Sequence, residues 1–344
     1  MTKLVKIGNI AIGNGNRVAI QSMTNVDTTN VELVANQILQ LQNAGCDIVR
    51  VAVKNHQCAQ AIAQIKQRIS LPLVADVHFD YTLALASLEN GADKIRINPG
   101  NVSAKGISEI VSCAKMHNAP IRIGVNGGSV GKEYLQKYTS KIDAMVANLS
   151  DYVALFERNG FDNLVLSMKS SSVAETVAVN RLVAQKFDYP LHIGVTEAGP
   201  YPQALIKNSV GIGSLLLDGI GDTIRVSATA NPLEEVASAK QILSAIGLTD
   251  TVEFVSCPKC GRCQVDLEKF ATQVYEKVKD LPKKLKIAVM GCEVNGPGEC
   301  ADADLGMAGG NGKFVFFKHG QIYKTVAEET ALQEFFNEID QLVK

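Results

Sequence analysis

The chain has 344 residues, with 34 Lys and Arg against 35 Asp and Glu, and its net charge at pH 7 is −1. This length suits one barrel-sized domain and a smaller one, and the near-neutral charge gives no reason to expect nucleic acid or an anionic membrane as a partner. No apolar stretch approaches the roughly 20 residues that span a bilayer, and the first residues contain no apolar signal core. We therefore expect a cytoplasmic protein whose thiols stay reduced unless they hold metal or take part in catalysis.

The first part of the chain predicts a barrel. Residues 3–16, with Gly8 and Asn9 between two short apolar segments, predict a hairpin that closes the barrel floor. Eight apolar segments follow, and the intervening residues keep one face apolar at helical spacing, which is the repeat of a parallel βα architecture. The predicted strands are 17–21, 47–53, 72–79, 94–98, 121–126, 163–169, 191–197 and 222–227.

Eight such units predict a (β/α)8 TIM barrel over residues 1–250. A doubly wound sheet is the structural competitor. The first predicted strand ends in Gln21-Ser22-Met23-Thr24, without the glycine-rich phosphate turn of a dinucleotide-binding sheet, so the barrel is favoured.

Residues 251–344 predict a small α+β domain with a different pattern. Residues 252–257 predict a strand, 267–281 a helix and 285–291 a second strand. A strand–helix–strand unit in one sheet is right-handed and leaves both strands parallel, so the ends of these strands meet. We therefore expect Cys257 and Cys292, which stand at those two ends, to lie close together.

Five of the eight cysteines lie in this domain, and their spacing predicts a metal site. They are Cys257, Cys260, Cys263, Cys292 and Cys300. Spacing alone allows structural zinc or an iron–sulfur cluster. Zinc sites with four cysteines usually contain two Cys-x-x-Cys pairs, whereas seven residues separate the last two cysteines here, so iron is favoured. The simplest cysteine set is Cys257, Cys260, Cys263 and Cys292, a closed four-thiolate cluster suited to electron transfer.

Charged residues inside the predicted barrel strands form the second informative pattern. The cations are Arg50, Arg96, Arg122, Lys169 and Arg225. A buried cation is costly without a carboxylate or an anionic ligand. Asp76, Asp222 and Glu197 are the candidate partners, and three carboxylates leave a surplus of positive charge. This surplus predicts a ligand with more than one phosphate at the catalytic ends of the strands.

Other polar residues follow or end these strands. The neutral candidates are Asn98, Asn101, Asn126, Ser129, Thr196 and Ser227. Asn101 is equally compatible with capping a helix. His78 shares a strand face with Asp76, although a lone strand histidine is more often structural, and Glu197 is a candidate general acid or base. His192 starts its predicted strand and is expected at the opposite end of the barrel from the site.

Several strings of the chain resemble one family, the 4-hydroxy-3-methylbut-2-en-1-yl diphosphate synthases of the non-mevalonate isoprenoid pathway, in their short two-domain bacterial form. The resemblance covers essentially the whole chain. The strings are Gln21-Ser22-Met23-Thr24, Ala75-Asp76-Val77-His78-Phe79, Arg96-Ile97-Asn98-Pro99-Gly100-Asn101, Arg122-Ile123-Gly124-Val125-Asn126, Thr196-Glu197-Ala198-Gly199, Cys257-Pro258-Lys259-Cys260 and Asn295-Gly296-Pro297-Gly298-Glu299.

The resemblance implies a 4Fe-4S cluster held by three cysteines and a glutamate, here Cys257, Cys260, Cys292 and Glu299. It implies a cyclic diphosphate substrate, 2-C-methyl-D-erythritol 2,4-cyclodiphosphate, whose phosphates contact Arg50, Arg96, Arg122 and Lys169. The rest of the implied pocket is Asp76, His78, Asn126, Glu197, Arg225 and Ser227, with Asn98 and Thr196 beside them. Asp76, His78, Glu197 and Glu299 are the expected catalytic residues. Cys263 and Cys300 depart from the family pattern and leave the fourth cluster ligand open.

The implied reaction is a two-electron reductive dehydroxylation that opens the ring, with electrons supplied singly by flavodoxin or ferredoxin. The family also implies a homodimer in which the cluster domain of one subunit covers the barrel of the other. Two alternatives remain open. A radical S-adenosylmethionine enzyme normally carries Cys-x-x-x-Cys-x-x-Cys near the start of its barrel, unlike this chain, and a phosphate-binding barrel with a structural zinc module would be colourless.

Overall fold

The computed structural model describes residues 1–292 and 296–343, without the side chains of Pro297 and Glu299. The chain divides into two compact units, Met1–Ile242 and Leu243–Lys344. Across the described residues, no helix is both long enough and apolar enough to pass through a membrane.

A short hairpin opens the first unit. Strands β1 (Val5–Ile7) and β2 (Ile10–Ile12) pair antiparallel, and Gly8 between them has a φ of +56°, which suits a tight turn. Apolar side chains of the hairpin pack against residues at the beginnings of the barrel strands. This cluster contains Val5, Ile7, Ile12, Ala19, Ile48, Val74 and Val165. The predicted hairpin at the barrel floor is confirmed.

Eight parallel strands form the barrel of the first unit. They are β3 (Ala19–Met23), β4 (Ile48–Ala52), β5 (Leu73–Asp76), β6 (Lys94–Ile97), β7 (Ile121–Asn126), β8 (Leu164–Lys169), β9 (His192–Ile193) and β10 (Thr223–Ile224). Neighbours pair in the order β8-β7-β6-β5-β4-β3-β10-β9, and a parallel bridge between Leu166 and Leu191 joins the two ends of this series. The predicted TIM barrel is confirmed.

Nine helices are described in the chain between β3 and the end of the barrel repeat. They are α1 (Val31–Asn43), α2 (His56–Lys66), α3 (Tyr81–Glu89), α4 (Ala104–Met116), α5 (Lys132–Lys137), α6 (Lys141–Arg158), α7 (Val173–Lys186), α8 (Tyr201–Leu217) and α9 (Pro232–Ala245). Polar residues start several of them: the side chains of Asn30, Asn55 and Ser172 accept bonds from free N–H groups of the first turn. In α1, Val34, Ile38 and Leu41 form the buried face.

The last two barrel strands are shorter than the sequence predicts. Residues 191–197 and 222–227 were expected as strands, but β9 and β10 contain only two residues each. Gly194 has a φ of +155° and Glu197 a φ of +52°, so the backbone leaves extended geometry soon after β9. The side chains that follow these strands therefore stand on loops.

The second unit contains a five-stranded mixed sheet with helices. Its elements are β11 (Glu253–Ser256), α10 (Leu267–Val278), β12 (Lys286–Met290), α11 (Gly296–Glu299), β13 (Leu305–Gly310), β14 (Lys313–Lys318), β15 (Gln321–Ala327) and α12 (Glu328–Val343). Strands β11, β12 and β13 are parallel, and β13, β14 and β15 are antiparallel. The predicted strand–helix–strand unit is present, and a hairpin turn at His319 and Gly320 joins β14 to β15.

Strand β13 was not predicted, because its glycines hide the strand signal. A Cβ added at Gly306 would stand 2.1 Å from the Phe317 ring, and one added at Gly309 would stand 2.7 Å from the Phe314 ring. The aromatic side chains of β14 therefore cover the bare backbone of β13. Helices α10 and α12 complete this core, where the Phe270 ring packs at a tilt against Phe314 and the Phe335 ring packs edge-on against Phe316.

Candidate active site and metal centre

The strand cations meet in one pocket at the carboxyl ends of the barrel strands. Eleven residues line it: Arg50, Asp76, His78, Arg96, Arg122, Asn126, Ser167, Lys169, Thr196, Arg225 and Ser227. Ten of these are candidates named from the sequence, and Ser167 is an addition. Parallel strands explain the convergence, because all of their carboxyl ends open on the same side of a barrel.

Asp76 is the carboxylate shared by two of the arginines. Its Oδ1 lies 3.3 Å from Arg96 Nη1, and its Oδ2 lies 3.6 Å from Arg50 Nε. His78 Nε2 is 3.7 Å from Asp76 Oδ1 and 3.1 Å from Arg96 Nη1. Burial acts to raise the pKa of Asp76, but Arg50, the His78 contact and Arg96 outweigh it and hold that pKa well below its ordinary value. The carboxylate therefore stays ionised.

Arg225 has a partner that sequence reasoning missed. Glu235, in the first turn of α9, accepts from Arg225 Nε and Nη2 at 3.3 Å and from the Ala228 N–H at 3.1 Å. The Glu235 side chain is also 3.4 Å from the Ser22 hydroxyl, and the residue is 3% exposed. A carboxylate on a helix has no signature in a strand pattern, which is why Glu235 was not predicted.

Two of the expected carboxylate partners do not neutralise the strand cations. Asp222 precedes β10 at the opposite end of the barrel, where it accepts from the Thr2 hydroxyl at 2.7 Å and from the Leu191 N–H at 2.8 Å. Glu197 is exposed and lies outside the pocket lining. Within the described residues, the ion pairs of the strand cations come from Asp76 and Glu235.

Arg122 carries the uncompensated charge of the pocket. It is 2% exposed, and its Nε and Nη1 have no hydrogen-bond partner among the described residues. Burial, followed by repulsion from Arg50 and Arg96, lowers the pKa of Arg122 well below its ordinary value. Buried polar groups are almost always satisfied in native proteins. The orphaned guanidinium therefore indicates that an anion belongs in the pocket.

Lys169 and Lys94 add to the positive surplus. Burial, followed by Arg122, lowers the pKa of both lysines. Lys94 was missed because it opens its strand; it is fully buried, and Gln21 Oε1 accepts from it at 3.4 Å. His192 begins β9 and is not among the residues that line the pocket, as expected. The contact that was not expected comes from the long side chain of Lys169, which reaches down to it, with Nζ 3.2 Å from Nε2.

Two further candidates make local contacts at the end of β6. Asn98 is buried, and its Oδ1 accepts from the Gly100 N–H at 3.3 Å, which caps the single 3-10 turn Pro99–Asn101. Asn101 Nδ2 donates to the His78 carbonyl at 3.1 Å. The first contact shapes the loop after β6, and the second ties that loop to the one that carries His78.

The cysteine site forms where β11 and β12 end side by side. Ser256 pairs with Val289, and the Gly291 N–H donates to Cys257 Sγ at 3.4 Å, so this thiol lies beside the residue that precedes Cys292. Cys260 is exposed, and Cys257 and Cys292 are partly buried.

The remaining cysteines occupy different surroundings. A Cβ on Gly291 would stand 2.7 Å from Cys263 Sγ, and that thiol donates to the Val265 carbonyl at 3.3 Å. Cys300 is 2% exposed and packs in an apolar cluster with Met290 and Phe317.

Thiolates at adjoining strand ends fit a metal centre that cysteines hold. In residues 1–292 and 296–343, no group of three or more His, Cys, Asp or Glu side chains is close enough to hold a single metal ion. Glu299 ends α11, and its side chain, the predicted fourth ligand, lies outside the described part of the chain.

Comparison with known families decides where the chain belongs. Residues 2–240 match the GcpE TIM-barrel domain, and residues 253–341 match the GcpE protein C-terminal domain. The chain belongs to the GcpE family.

Relatives within the GcpE family match from end to end. A protein of Caldanaerobacter subterraneus subsp. tengcongensis is 51% identical over 100% of this chain and 98% of its own length. A protein of Clostridium perfringens is 50% identical over 98% of each chain. Both are named 4-hydroxy-3-methylbut-2-en-1-yl diphosphate synthase (flavodoxin), in agreement with the resemblance found in the sequence.

Solved structures resemble the GcpE barrel at a greater distance. The dihydropteroate synthase of Stenotrophomonas maltophilia superposes with a TM-score of 0.54 at 14% identity, over 72% of this chain and 98% of its own. The enzyme of Xanthomonas albilineans gives 0.52 at 14% identity, over 71% and 96%. At this sequence identity, the structural similarity supports the barrel fold alone.

Proposed function

We propose that this chain is an iron–sulfur oxidoreductase that converts 2-C-methyl-D-erythritol 2,4-cyclodiphosphate to (E)-4-hydroxy-3-methylbut-2-enyl diphosphate. The domain of residues 1–250 binds the substrate, and the domain of residues 251–344 holds the cluster. Membership of the GcpE family supports the reaction. The observation that carries the substrate class is the buried Arg122, whose Nε and Nη1 have no partner among the described residues.

The pocket suits a diphosphate because its positive charge exceeds its negative charge. Asp76 and Glu235 balance part of the charge of Arg50, Arg96 and Arg225. Arg122 and Lys169 make no ion pair within the described residues, so two phosphates would give them the hydrogen bonds that they lack. Guanidinium groups bind phosphate oxygens in pairs, which fixes the orientation of the substrate as well as its affinity.

Neutral side chains at the pocket rim complete the substrate contacts. Asn126, Thr196 and Ser227 line the pocket and offer donors and acceptors to hydroxyl groups of the substrate. Asn98 acts by holding the loop after β6 in place.

The reaction consumes two electrons and two protons and releases one water for each substrate molecule. The ionised Asp76 carboxylate orients the His78 ring, whose side chain is 53% exposed and is a candidate to move a proton. Glu197 is exposed on the loop after β9 and is the second candidate to move a proton. His78 and Glu197 are the proposed acid–base residues of the barrel, and Asp76 is the proposed catalytic residue that holds His78 in place.

The proposed cofactor is a 4Fe-4S cluster held by Cys257, Cys260, Cys292 and Glu299. When bound, such a cluster supplies electrons one at a time and an iron that can act as a Lewis acid. A carboxylate is a harder and more exchangeable ligand for iron than a thiolate, which favours Glu299 over Cys263 in a cluster that acts on a substrate.

We further propose that the protein works in the cytoplasm as a homodimer and receives its electrons from flavodoxin or ferredoxin. The word flavodoxin in the names of the relatives supports this electron donor. Sedimentation of the loaded protein at micromolar concentration would measure the mass of the assembly, and a monomer would contradict the dimer.

Anaerobic incubation with the cyclic diphosphate and a one-electron donor tests the function. We expect the linear diphosphate product by mass spectrometry, about four irons for each chain and a brown protein that bleaches on reduction. One colourless zinc for each chain and no product would instead support a phosphate-binding barrel. A requirement for S-adenosylmethionine would support the radical enzyme.

A further inference from the structure

A buried chain of three side chains lies behind the anion pocket. His192 and Thr223 are both fully buried, and they stand opposite one another on the paired strands β9 and β10. His192 Nε2 is 3.2 Å from Lys169 Nζ, and His192 Nδ1 is 2.8 Å from Thr223 Oγ1. The chain Thr223–His192–Lys169 therefore ends at a cation that lines the pocket.

Lys169 depends on this contact for its position. An ammonium has three donors, and within the described residues the hydrogen bond of Lys169 goes to His192. Gly194 gives the lysine room, because a Cβ there would stand 3.0 Å from Nζ and 2.3 Å from the Arg225 carbonyl. Two ammonium donors remain for a ligand in the pocket.

Within the described residues, cations are the main charged groups that act on this pair. Those that act on Lys169 or His192 are Arg50 on β4, Lys94 and Arg96 on β6, Arg122 on β7 and Arg225 after β10. Burial, followed by Lys169, lowers the pKa of His192 well below its ordinary value. The imidazole is therefore neutral, with one nitrogen that donates and one that accepts.

This neutral ring fixes the direction of the hydrogen bonds. A protonated Lys169 can only donate, so it requires Nε2 as an acceptor, and Nδ1–H then donates to the Thr223 hydroxyl. If Lys169 loses its proton, its amine can either donate or accept, so the bond no longer dictates the tautomer of His192. A charged Lys169 therefore selects the tautomer in which Nε2 is the acceptor.

We propose that His192 is a positioning residue, which accepts a hydrogen bond from the Lys169 ammonium, holds it toward the bound diphosphate and keeps it charged. The inference rests on the proposed function only in taking a diphosphate as the ligand. His192 acts through Lys169, and Thr223 acts by fixing the tautomer of His192.

Binding of inorganic diphosphate to the cluster-loaded protein, measured by calorimetry between pH 6 and pH 10, tests this proposal. In His192→Leu we expect affinity at pH 7 to fall about ten- to a hundredfold, since a hydrogen bond to a charged group is lost. We also expect the loss of affinity at alkaline pH to begin at lower pH, because the apolar side chain no longer favours the charged amine. The titration of diphosphate itself is common to all variants.

Conservative variants separate positioning from packing. His192→Gln offers an amide oxygen near the place of Nε2, so it should recover most of the affinity. The alkaline limb, which is the pH range where affinity is lost as the pH rises, should also return close to that of the native protein. Thr223→Val should move the limb in the same direction by a smaller amount, and Thr223→Ser should restore it. The exposed His117 provides a matched control, and His117→Leu should leave both measurements unchanged.

An alkaline limb in His192→Leu that coincides with that of the native protein would overturn the proposal, as would a native protein that does not bind inorganic diphosphate. If His192→Leu does not fold, Thr223→Val decides, and an unchanged limb there has the same meaning. Turnover of the cyclic diphosphate is measured in parallel. Native protein that binds diphosphate with the expected pH dependence but forms no product would contradict the proposed function and leave the role of His192 standing.

Discussion

Arg122 lowers the stability of the ligand-free protein and is proposed to bind the ligand. Its guanidinium is buried among other cations, and burial lowers its pKa. Replacing an uncompensated buried charge by an apolar side chain of similar volume is often stabilising, by about 1–4 kcal/mol. We predict that Arg122→Met raises the thermal midpoint of the ligand-free protein and weakens diphosphate binding at least a hundredfold.

The exposed Arg68 provides the control for this prediction. Arg68→Met should change neither the midpoint in differential scanning calorimetry nor the affinity. A lower thermal midpoint in Arg122→Met would contradict the view that the buried charge of Arg122 destabilises the protein until an anion binds.

Asp76 has the opposite role, since it stabilises the pocket without a ligand. Its pKa is below the ordinary value near 4, so its contribution is fully present above about pH 4 and is lost as the pH falls through the folded-state pKa. We predict that Asp76→Asn costs about 3 kcal/mol of unfolding free energy at pH 7, because two arginines lose a carboxylate. Anaerobic urea unfolding should give the same difference between the two proteins at pH 5 and a smaller one below pH 4. A difference that already declines between pH 7 and pH 5 would contradict this prediction.

In the proposed cluster, Glu299 is the ligand that separates action on a substrate from electron transfer alone. We predict that Glu299→Ala retains part of its iron, because three thiolates remain, but loses turnover. Iron content and product formation measure the two properties separately, with Cys292→Ser as the control that should lose iron. Full activity in Glu299→Ala would exclude this residue as the ligand that matters and would direct attention to Cys263.

The sequence predicted the cations of the pocket but not all of their partners. A charge inside an apolar strand is visible in a single sequence, and parallel strands then place such charges together. Partners that approach from other elements leave no such mark: Glu235 lies on α9, and His192 is met by a side chain from a neighbouring strand. A lysine side chain is also long, so the position of the residue in a strand does not predict where its ammonium group lies.

At the scale of elements, α9 contributes to the site through its first turn. Glu235 binds Arg225 and the Ala228 N–H, so it fixes the loop that follows β10. We predict that Glu235→Gln raises the KM for the cyclic diphosphate about tenfold with a smaller effect on kcat, because Arg225 loses its orienting charge. Steady-state kinetics would measure both constants.

The neighbouring Glu234 is exposed and provides a matched control. Glu234→Gln should leave KM and kcat unchanged. Equal effects of the two substitutions would indicate a general change in α9 rather than a specific contact with Arg225.

Regular elements were predicted best where apolar periodicity is uninterrupted. Strands β4 to β8 lie within the predicted segments. Strand β9 ends early because Gly194 and Glu197 take positive φ values and the chain turns into a loop, and β10 also contains only two residues. Strand β13 was missed because its glycines receive aromatic rings from β14, a contact that only the folded sheet reveals. Tertiary packing, rather than local propensity, decides these elements.

At the scale of the whole molecule, the proposed reaction needs both the cationic barrel pocket and the cysteine site. We propose different chemistry for the two sites, since the first would hold phosphates and the second would supply electrons. Removing charge at Arg122 should therefore abolish substrate binding while iron content stays native, and Cys292→Ser should do the reverse. Loss of both properties in each variant would indicate misfolding rather than a division of roles.

The number of electrons consumed for each product tests the central claim most directly. Cluster-loaded protein is mixed anaerobically with reduced methyl viologen and the cyclic diphosphate, and viologen oxidation and product are measured together. We predict two viologens oxidised for each molecule of (E)-4-hydroxy-3-methylbut-2-enyl diphosphate, and no oxidation without substrate or in Arg122→Met. Ring opening without viologen oxidation, or no product from loaded and reduced protein, would contradict the proposed reductive dehydroxylation.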